Sequence, residues 1–280
     1  MKKLFSFLYF VTLLAGFAAC NTNSTTKMND TMSTENTTPV ILGESVGYTS
    51  GSLAMNSFIA YDSVSSAKRP VVLVIPEWWG LTEYAKSRAK QLAELGYFAM
   101  AVDMYGNGAI AADPGTAQKM AGPFYGDVQM GKQRIDAALE KVKTYPEADM
   151  NNVAAIGYCF GGAQVLNAAR LGENFKAVVS FHGNLIGAPA DKNLLRAKIL
   201  VCHGEADQFV TMAEVDKFKK QMDSISAAYT FKSYANATHA FTNPAATETG
   251  KKFNMPIEYN AAADSASWND MKLFFAGIFK

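Results

Sequence analysis

Short apolar runs alternate with helical segments along most of this 280-residue chain, and no other feature limits its possible folds as much. The runs lie at 71–75, 97–103, 153–157, 177–183, 198–204 and 230–234. Segments with helical spacing lie at 82–95, 127–143, 162–171, 212–224 and 264–279. Nearly continuous apolar runs are typical of strands that helices cover on both faces. The alternation therefore predicts an α/β fold with a mostly parallel central sheet and helices on both faces.

The composition is that of a globular protein with balanced charges. Hydrophobic residues make up 49% and charged residues 18% of the chain, which allows a sizeable core. Lys plus Arg number 26 and Asp plus Glu number 25. Because a polyanion-binding protein normally carries a basic excess, we expect no nucleic-acid partner. Three cysteines without zinc-ligand spacing predict neither a disulfide scaffold nor a metal site, and we expect no cofactor.

Residues 1–20 have the pattern of an export signal. Two lysines precede an apolar stretch over 4–17 that is too short to span a bilayer. Two alanines then lead to Cys20, as in a bacterial lipobox, where the cysteine is lipidated. A plain secretory signal with an incidental cysteine is the alternative. The first interpretation predicts an exported bacterial lipoprotein, held in the periplasm or at the outer membrane only by this lipid.

Residues 21–39 are dominated by Thr, Asn and Ser and have no apolar period, so we expect a flexible tether. The folded domain is predicted to span 40–280 as one α/β unit and to be a monomer. Alternating residues over 40–61 predict that it starts with a β-hairpin.

The segment Gly157-Tyr158-Cys159-Phe160-Gly161-Gly162 follows a predicted strand and opens a predicted helix. This is the pattern of a nucleophile elbow with cysteine in place of serine. A cysteine at a helix N-terminus is favoured as a thiolate, since the helix dipole stabilises the negative charge. A buried, inert cysteine in a glycine-rich turn is the alternative interpretation.

In a hydrolase of this type the acid and then the base follow the nucleophile along the chain. Asp207 comes just after the run at 198–204 and is the candidate acid, with Glu205 as a nearby competitor. His239 is the histidine downstream of Asp207 and is therefore the candidate base. For the oxyanion hole, the expected donors are the backbone N–H groups of Phe160 and of Trp78.

The sequence resembles the dienelactone hydrolase family over roughly residues 45–280. The similar segments are IPEWWG, VDMYG, GYCFGG, HGEAD, THAF and the stretch 259–275. The resemblance implies an α/β-hydrolase fold and a Cys159–His239–Asp207 triad. It also implies that Glu77 corresponds to a family glutamate that contacts the resting cysteine and helps control its ionisation.

The sequence departs from this family where the substrate carboxylate is held by two arginines. The position after the catalytic histidine corresponds to Asn243, and residues 103–130 contain no arginine. We therefore expect a substrate other than dienelactone itself. The side chains expected to line the pocket are Trp79, Tyr105, Phe124, Tyr125 and Asn243.

The expected function is hydrolysis of a small ester or lactone. One alternative is a different cysteine enzyme, similar to the DJ-1 group, in which Glu77 controls the thiol. Another is a ligand-binding lipoprotein that kept the fold without turnover. We also expect Cys159 and Cys202 to be free thiols, because their strands should be separated by another strand, at about 9–10 Å.

Overall fold

The structure, a computed structural model, describes residues 38–279. The predicted signal segment with Cys20 and most of the predicted tether lie outside this range. The strands of the described part are β1 (Ile41–Ser50), β2 (Leu53–Asp62), β3 (Arg69–Ile75), β4 (Phe98–Ala101), β5 (Ala148–Tyr158), β6 (Ala177–Phe181), β7 (Lys198–Gly204) and β8 (Tyr229–Tyr234).

These strands form one sheet in the order β1-β2-β4-β3-β5-β6-β7-β8. The predicted hairpin is present as the antiparallel pair β1–β2, and β2 also runs antiparallel to β4. All the remaining pairs are parallel. The predicted α/β fold with a mostly parallel sheet is confirmed. Because β3, β5, β6, β7 and β8 point the same way, the loops that follow them meet at one edge of the sheet.

Helices cover both faces of this sheet. Their bounds are α1 (Glu83–Glu94), α2 (Pro114–Gly126), α3 (Val128–Val142), α4 (Phe160–Arg170), α5 (Met212–Ser224), α6 (Ala246–Phe253) and α7 (Ala261–Ala276). One hydrophobic cluster joins the sheet to α2, α3, α4 and α5, and a second joins it to α1 and α7. Among residues 38–279, no helix combines the length and the apolar character needed to cross a bilayer.

Two helices were not predicted from the sequence. Three glycines and Pro123 weaken the helical pattern of α2, yet Asp113 caps it by accepting a hydrogen bond from Thr116 N–H at 2.9 Å. Pro114 then fits the first turn, where no N–H is required. Helix α6 is only 8 residues long, too short to give a clear period. In α2 the Asp113 cap outweighs a weak sequence signal, whereas α6 has no side-chain cap and is held by the burial of Ala246 and Gly250.

Glycines make the tight connection from β5 to α4 possible. A Cβ atom on Gly161 would lie 2.2 Å from the backbone oxygen of Ile75 in β3. One on Gly157 would lie 2.1 Å from the backbone oxygen of Gly161. Backbone therefore packs directly on backbone below residue 159, and larger residues do not fit without displacing the turn.

We expect Gly161→Ala to lower the free energy of unfolding by about 1–3 kcal/mol, because the added methyl group overpacks a rigid turn. Gly122→Ala in α2 is the matched control, since its Cβ meets nothing within 4 Å. That variant should be neutral or more stable by about 0.5–1 kcal/mol, as expected when alanine replaces glycine within a helix. Urea unfolding of both variants checks this, and equal stabilities would contradict the packing described here.

Candidate active site

Cys159 lies in the turn between β5 and α4 with φ 53° and ψ −117°. A positive φ is strained for a residue with a Cβ atom and occurs where surrounding structure enforces it. Here the Cys159 N–H donates to the backbone oxygen of Phe181 at 3.0 Å and to Nδ1 of His182 at 3.1 Å. The side chain is half-buried and lines a cavity at the carboxyl edge of the sheet. This geometry presents the thiol to a small molecule from a fixed turn.

Asp207 and His239 come together at the same edge, after β7 and β8. His239 Nδ1 lies 2.8 Å from Asp207 Oδ2, and the Asp207 side chain is fully buried. The other carboxylate oxygen, Oδ1, accepts from the N–H groups of Phe209 at 2.8 Å and Val210 at 3.1 Å. These bonds fix the carboxylate, which in turn orients the imidazole. The competitor Glu205 is exposed.

The charge state of His239 is set by its two neighbours. Burial lowers the pKa of His239, but the negative charges of Cys159 and Asp207, and hydrogen bonds to both, outweigh burial. The pKa of His239 is thereby raised to about 10. At neutral pH the His239 imidazole is therefore favoured in its protonated form.

Glu77 follows β3 and is almost fully buried in the wall of the same cavity. Its carboxylate accepts a hydrogen bond from Asn243 Nδ2 at 2.6 Å. Burial raises the pKa of Glu77 to about 7, although Asn243, His239 and Arg88 each oppose that rise. The carboxyl group is thus poised to change its charge near neutral pH.

The cavity that contains Cys159 has a volume of about 340 Å³. Trp78, Trp79 and Tyr125 line it, together with the triad candidates Cys159 and His239. Sequence reasoning missed several further lining residues, namely Gln118, Asn184, Phe209, Met255 and Ile257. Most of these lie in α2 or in loops whose path the sequence does not indicate. The cavity lining contains no Lys or Arg among the described residues.

Three residues predicted to line the pocket lie elsewhere. The Tyr105 hydroxyl donates to the backbone oxygen of Trp78 at 2.9 Å. The Tyr105 and Phe124 rings pack on Phe160, with centroids 5.7 Å and 5.3 Å away, so they support the turn instead. Asn243 lines neighbouring cavities and touches this one only through its bond to Glu77. These aromatic and amide side chains thus make packing and hydrogen-bond contacts next to the cavity, and their role as pocket residues stays a prediction.

The predicted oxyanion donors are backbone groups on two neighbouring strands' loops. Trp78 follows β3, and Phe160 is the first residue of α4. Within residues 38–279, neither N–H takes part in the backbone hydrogen bonds of its own turn. Their role as donors to a substrate oxygen stays a prediction.

Cys202 lies in the interior of β7 and is buried. β6 separates β5 from β7, and both Cys159 and Cys202 are free thiols, as predicted. Burial raises the pKa of Cys202 to about 12, so this thiol stays neutral at physiological pH. In the part of the chain that the structure describes, no group of three or more His, Cys, Asp or Glu residues is arranged to hold a metal ion.

The sheet order and the loops at its carboxyl edge define an α/β-hydrolase fold. A family model described as the dienelactone hydrolase family matches residues 57–279. The chain belongs to this family and is a hydrolase.

Similar proteins support this assignment. An uncharacterized protein of Caenorhabditis elegans, K02A2.1, is 35% identical over 152 residues, which cover 53% of this chain and 94% of that protein. The crystal structure of P91, a dienelactone hydrolase-like promiscuous phosphotriesterase from metagenomic libraries, matches with a TM-score of 0.80 and 34% identity over 86% of this chain and 99% of P91. A solved structure named m3DLH matches with a TM-score of 0.81 and 33% identity, covering 86% of this chain and 99% of its own.

We expect Cys159→Ala to lower the pKa of His239, because the Cys159 charge raises that pKa more than any other neighbour does. Cys202→Ala removes a buried thiol in the middle of β7 and should leave the His239 titration unchanged. NMR titration of ¹⁵N-labelled imidazole in the wild type and both variants measures the effect. An identical His239 pKa in all three proteins would show that the thiol and imidazole are not coupled.

Proposed function

We propose that the protein hydrolyses small, uncharged carboxylic esters or lactones through Cys159 as nucleophile, His239 as base and Asp207 as the residue that orients His239. The observation that carries this proposal is the 2.8 Å bond from His239 Nδ1 to the buried Asp207, because His239 lies in the wall of the same cavity as Cys159. It leaves His239 Nε2 for proton transfer to and from the reacting atoms.

In the first half of the reaction, the Cys159 thiolate forms a bond from Sγ to the substrate carbonyl carbon. The carbonyl oxygen becomes an oxyanion, which the N–H groups of Trp78 and Phe160 stabilise. When the intermediate collapses, the carbon–oxygen bond to the leaving group breaks. His239 donates its proton to the departing alkoxide, and a thioester on Cys159 remains.

In the second half, water attacks the thioester carbon. Neutral His239 takes a proton from this water, and a second tetrahedral intermediate forms in the same oxyanion hole. The bond from carbon to Sγ then breaks, which releases the carboxylic acid and restores the thiolate beside a protonated His239. No cofactor or redox step is needed for the balance.

We propose that Glu77 controls the ionisation of the Cys159 thiol next to His239 before substrate binds. A carboxylate in the same buried cavity repels a thiolate, whereas a neutral carboxyl group can donate a hydrogen bond to it. Its pKa of about 7 permits either state near neutrality. A mechanism in which Glu77 alone controls the thiol is disfavoured, because His239 and Asp207 are already bonded and buried beside Cys159.

The cavity lining indicates the charge of the substrate. The walls are mostly aromatic and aliphatic, and the charged candidates among them are Glu77 and the His239–Cys159 pair. A substrate carboxylate would lose hydration there without gaining an arginine or lysine partner. Uncharged esters and lactones fit this lining better than the dienelactone carboxylate does.

We expect Cys159→Ala to lower the kcat for p-nitrophenyl acetate by more than about a thousandfold, as loss of a nucleophile does in related mechanisms. Cys202→Ala is the matched control and should keep wild-type turnover. Both are assayed with reductant present, because an exposed reactive thiol oxidises readily. Equal turnover in the wild type and Cys159→Ala would exclude Cys159 as the nucleophile for such esters.

A matched pair of esters tests the charge preference. We expect methyl p-nitrophenyl succinate to give a kcat/KM at least about tenfold above that of mono-p-nitrophenyl succinate, because the latter places an unpaired carboxylate in the cavity. Gln118→Arg adds a cation to the cavity wall and should bring the kcat/KM values of the two esters closer together. A preference for the charged ester in the wild type would contradict the proposed substrate class.

A further inference from the structure

His182 is a buried histidine that lies directly after β6, outside the triad. Its side chain is 1% exposed and its φ is 42°, an uncommon value for a residue other than glycine. Nδ1 accepts the N–H of Cys159 at 3.1 Å. Because Nδ1 is an acceptor, Nε2 carries the hydrogen and donates it to Thr242 Oγ1 at 2.8 Å. One imidazole therefore has both nitrogens engaged.

The two hydrogen-bond partners of His182 belong to two different loops, one with the candidate nucleophile and one with the candidate base. Cys159 is in the turn after β5, whereas Thr242 is three residues beyond His239 in the loop after β8. The His182 ring also packs edge-to-face on His239, with centroids 5.2 Å apart, and on Phe241 at 5.3 Å. His182 thus lies between the turn that carries the thiol and the loop that carries the base, and bonds to both.

Thr242 is held in place from its other side. The Tyr84 hydroxyl of α1 donates to Thr242 Oγ1 at 2.7 Å. The Arg88 guanidinium donates to the backbone oxygen of Thr242 at 2.9 Å and pairs with Asp264 of α7. The bonds at His182 are therefore anchored to two helices on one face of the sheet.

The ring of His182 remains neutral in this setting. Burial, the nearby charge of His239 and, to a smaller extent, that of Arg88 hold the pKa of His182 well below its ordinary value. A protonated ring would have a hydrogen on Nδ1 and could not accept from Cys159 N–H. The neutral state of the His182 ring therefore agrees with the bond that its Nδ1 accepts from Cys159 N–H.

We propose that His182 is a positioning residue that sets the separation between the Cys159 thiol and the His239 imidazole by bonding the turn of one to the loop of the other. The inference rests on the proposed roles of Cys159 and His239. His182 is not among the described residues that line the cavity, so its effect falls on the chemical step rather than on substrate binding. A displacement of about 1 Å between reacting groups costs about a hundredfold in rate.

Three substitutions separate this role from simple packing. His182→Phe keeps a ring against His239 and Phe241 but loses both hydrogen bonds. His182→Asn places an amide oxygen where Nδ1 lay, so it can still accept from Cys159 N–H, and asparagine tolerates a positive φ. Thr242→Val keeps the side-chain shape and removes the hydroxyl that His182 needs.

Ser180→Ala is the matched control. Ser180 lies in β6, two residues before His182, is fully buried, and its hydroxyl has no hydrogen-bond partner within the described residues. The variant removes a buried polar atom from the same strand without altering the bonds between the two loops. It should keep wild-type kcat and KM.

The measurements are kcat and KM for p-nitrophenyl acetate, the rate of iodoacetamide alkylation of Cys159, and the melting temperature. We expect His182→Phe and Thr242→Val to lower kcat by about tenfold to a hundredfold with KM changed less than about threefold. The kcat of His182→Asn should be several-fold higher than that of His182→Phe. Alkylation should slow in the variants with low kcat, because the thiolate loses its fixed imidazolium partner.

Wild-type kcat and alkylation rates in Thr242→Val and His182→Asn would overturn the inference, whatever their melting temperatures, and would leave His182 with a packing role. This holds even if His182→Phe does not fold. A His182→Asn variant as slow as a folded His182→Phe would also overturn it. The Cys159→Ala variant distinguishes failure of the proposed function. Full activity in that variant would exclude Cys159 as the nucleophile, whatever the His182 variants show.

Discussion

The close packing of the turn between β5 and α4 is the constraint on which the candidate site depends. Gly157 and Gly161 bring backbone against backbone, and Cys159 is left at a positive φ above the sheet. A residue strained at a positive φ persists only where the surroundings enforce it, and here β3, β6 and α4 all contact the turn. The thiol is consequently fixed before any ligand arrives.

Around this turn, the parallel sheet brings together groups that are far apart in the sequence. Asp207 and His239 follow adjacent strands, so the carboxylate and imidazole meet without a long loop. The loop after β3 adds Glu77 and the Trp78 N–H from the opposite side of β5. The charges of Cys159 and Asp207 raise the pKa of His239 and so favour its protonated form. Burial raises the pKa of Glu77, whose hydrogen-bond partner is the Asn243 amide, and so favours its neutral form.

Much of this arrangement could be predicted from the sequence because its signals are local. Apolar runs of strand length and a glycine-flanked cysteine identify the sheet and the turn, and chain order then selects Asp207 and His239. In the structure these two residues are bonded to each other, and His239 lies in the same cavity wall as Cys159. Burial on both faces makes the strands easy to recognise, since it removes polar residues from their sequences.

The parts that could not be predicted depend on contacts that one sequence does not encode locally. The Tyr105 and Phe124 rings pack on Phe160, and nothing in the sequence around them distinguishes a packing role from a pocket role. Asn243 contacts Glu77, 166 residues earlier, and His182 reaches Thr242 over 60 residues. Such long-range bonds appear only when the chain is folded, and they include the ones that orient the candidate site.

The most direct measurement is rapid-quench mass spectrometry of the full chain during turnover of p-nitrophenyl acetate, followed by peptide mapping. A Cys159 nucleophile predicts a transient acetyl group on the peptide that contains Cys159, which appears before steady state and decays as substrate is exhausted. Turnover without an acetyl group on Cys159, or with the acetyl group on another residue, would contradict the central claim.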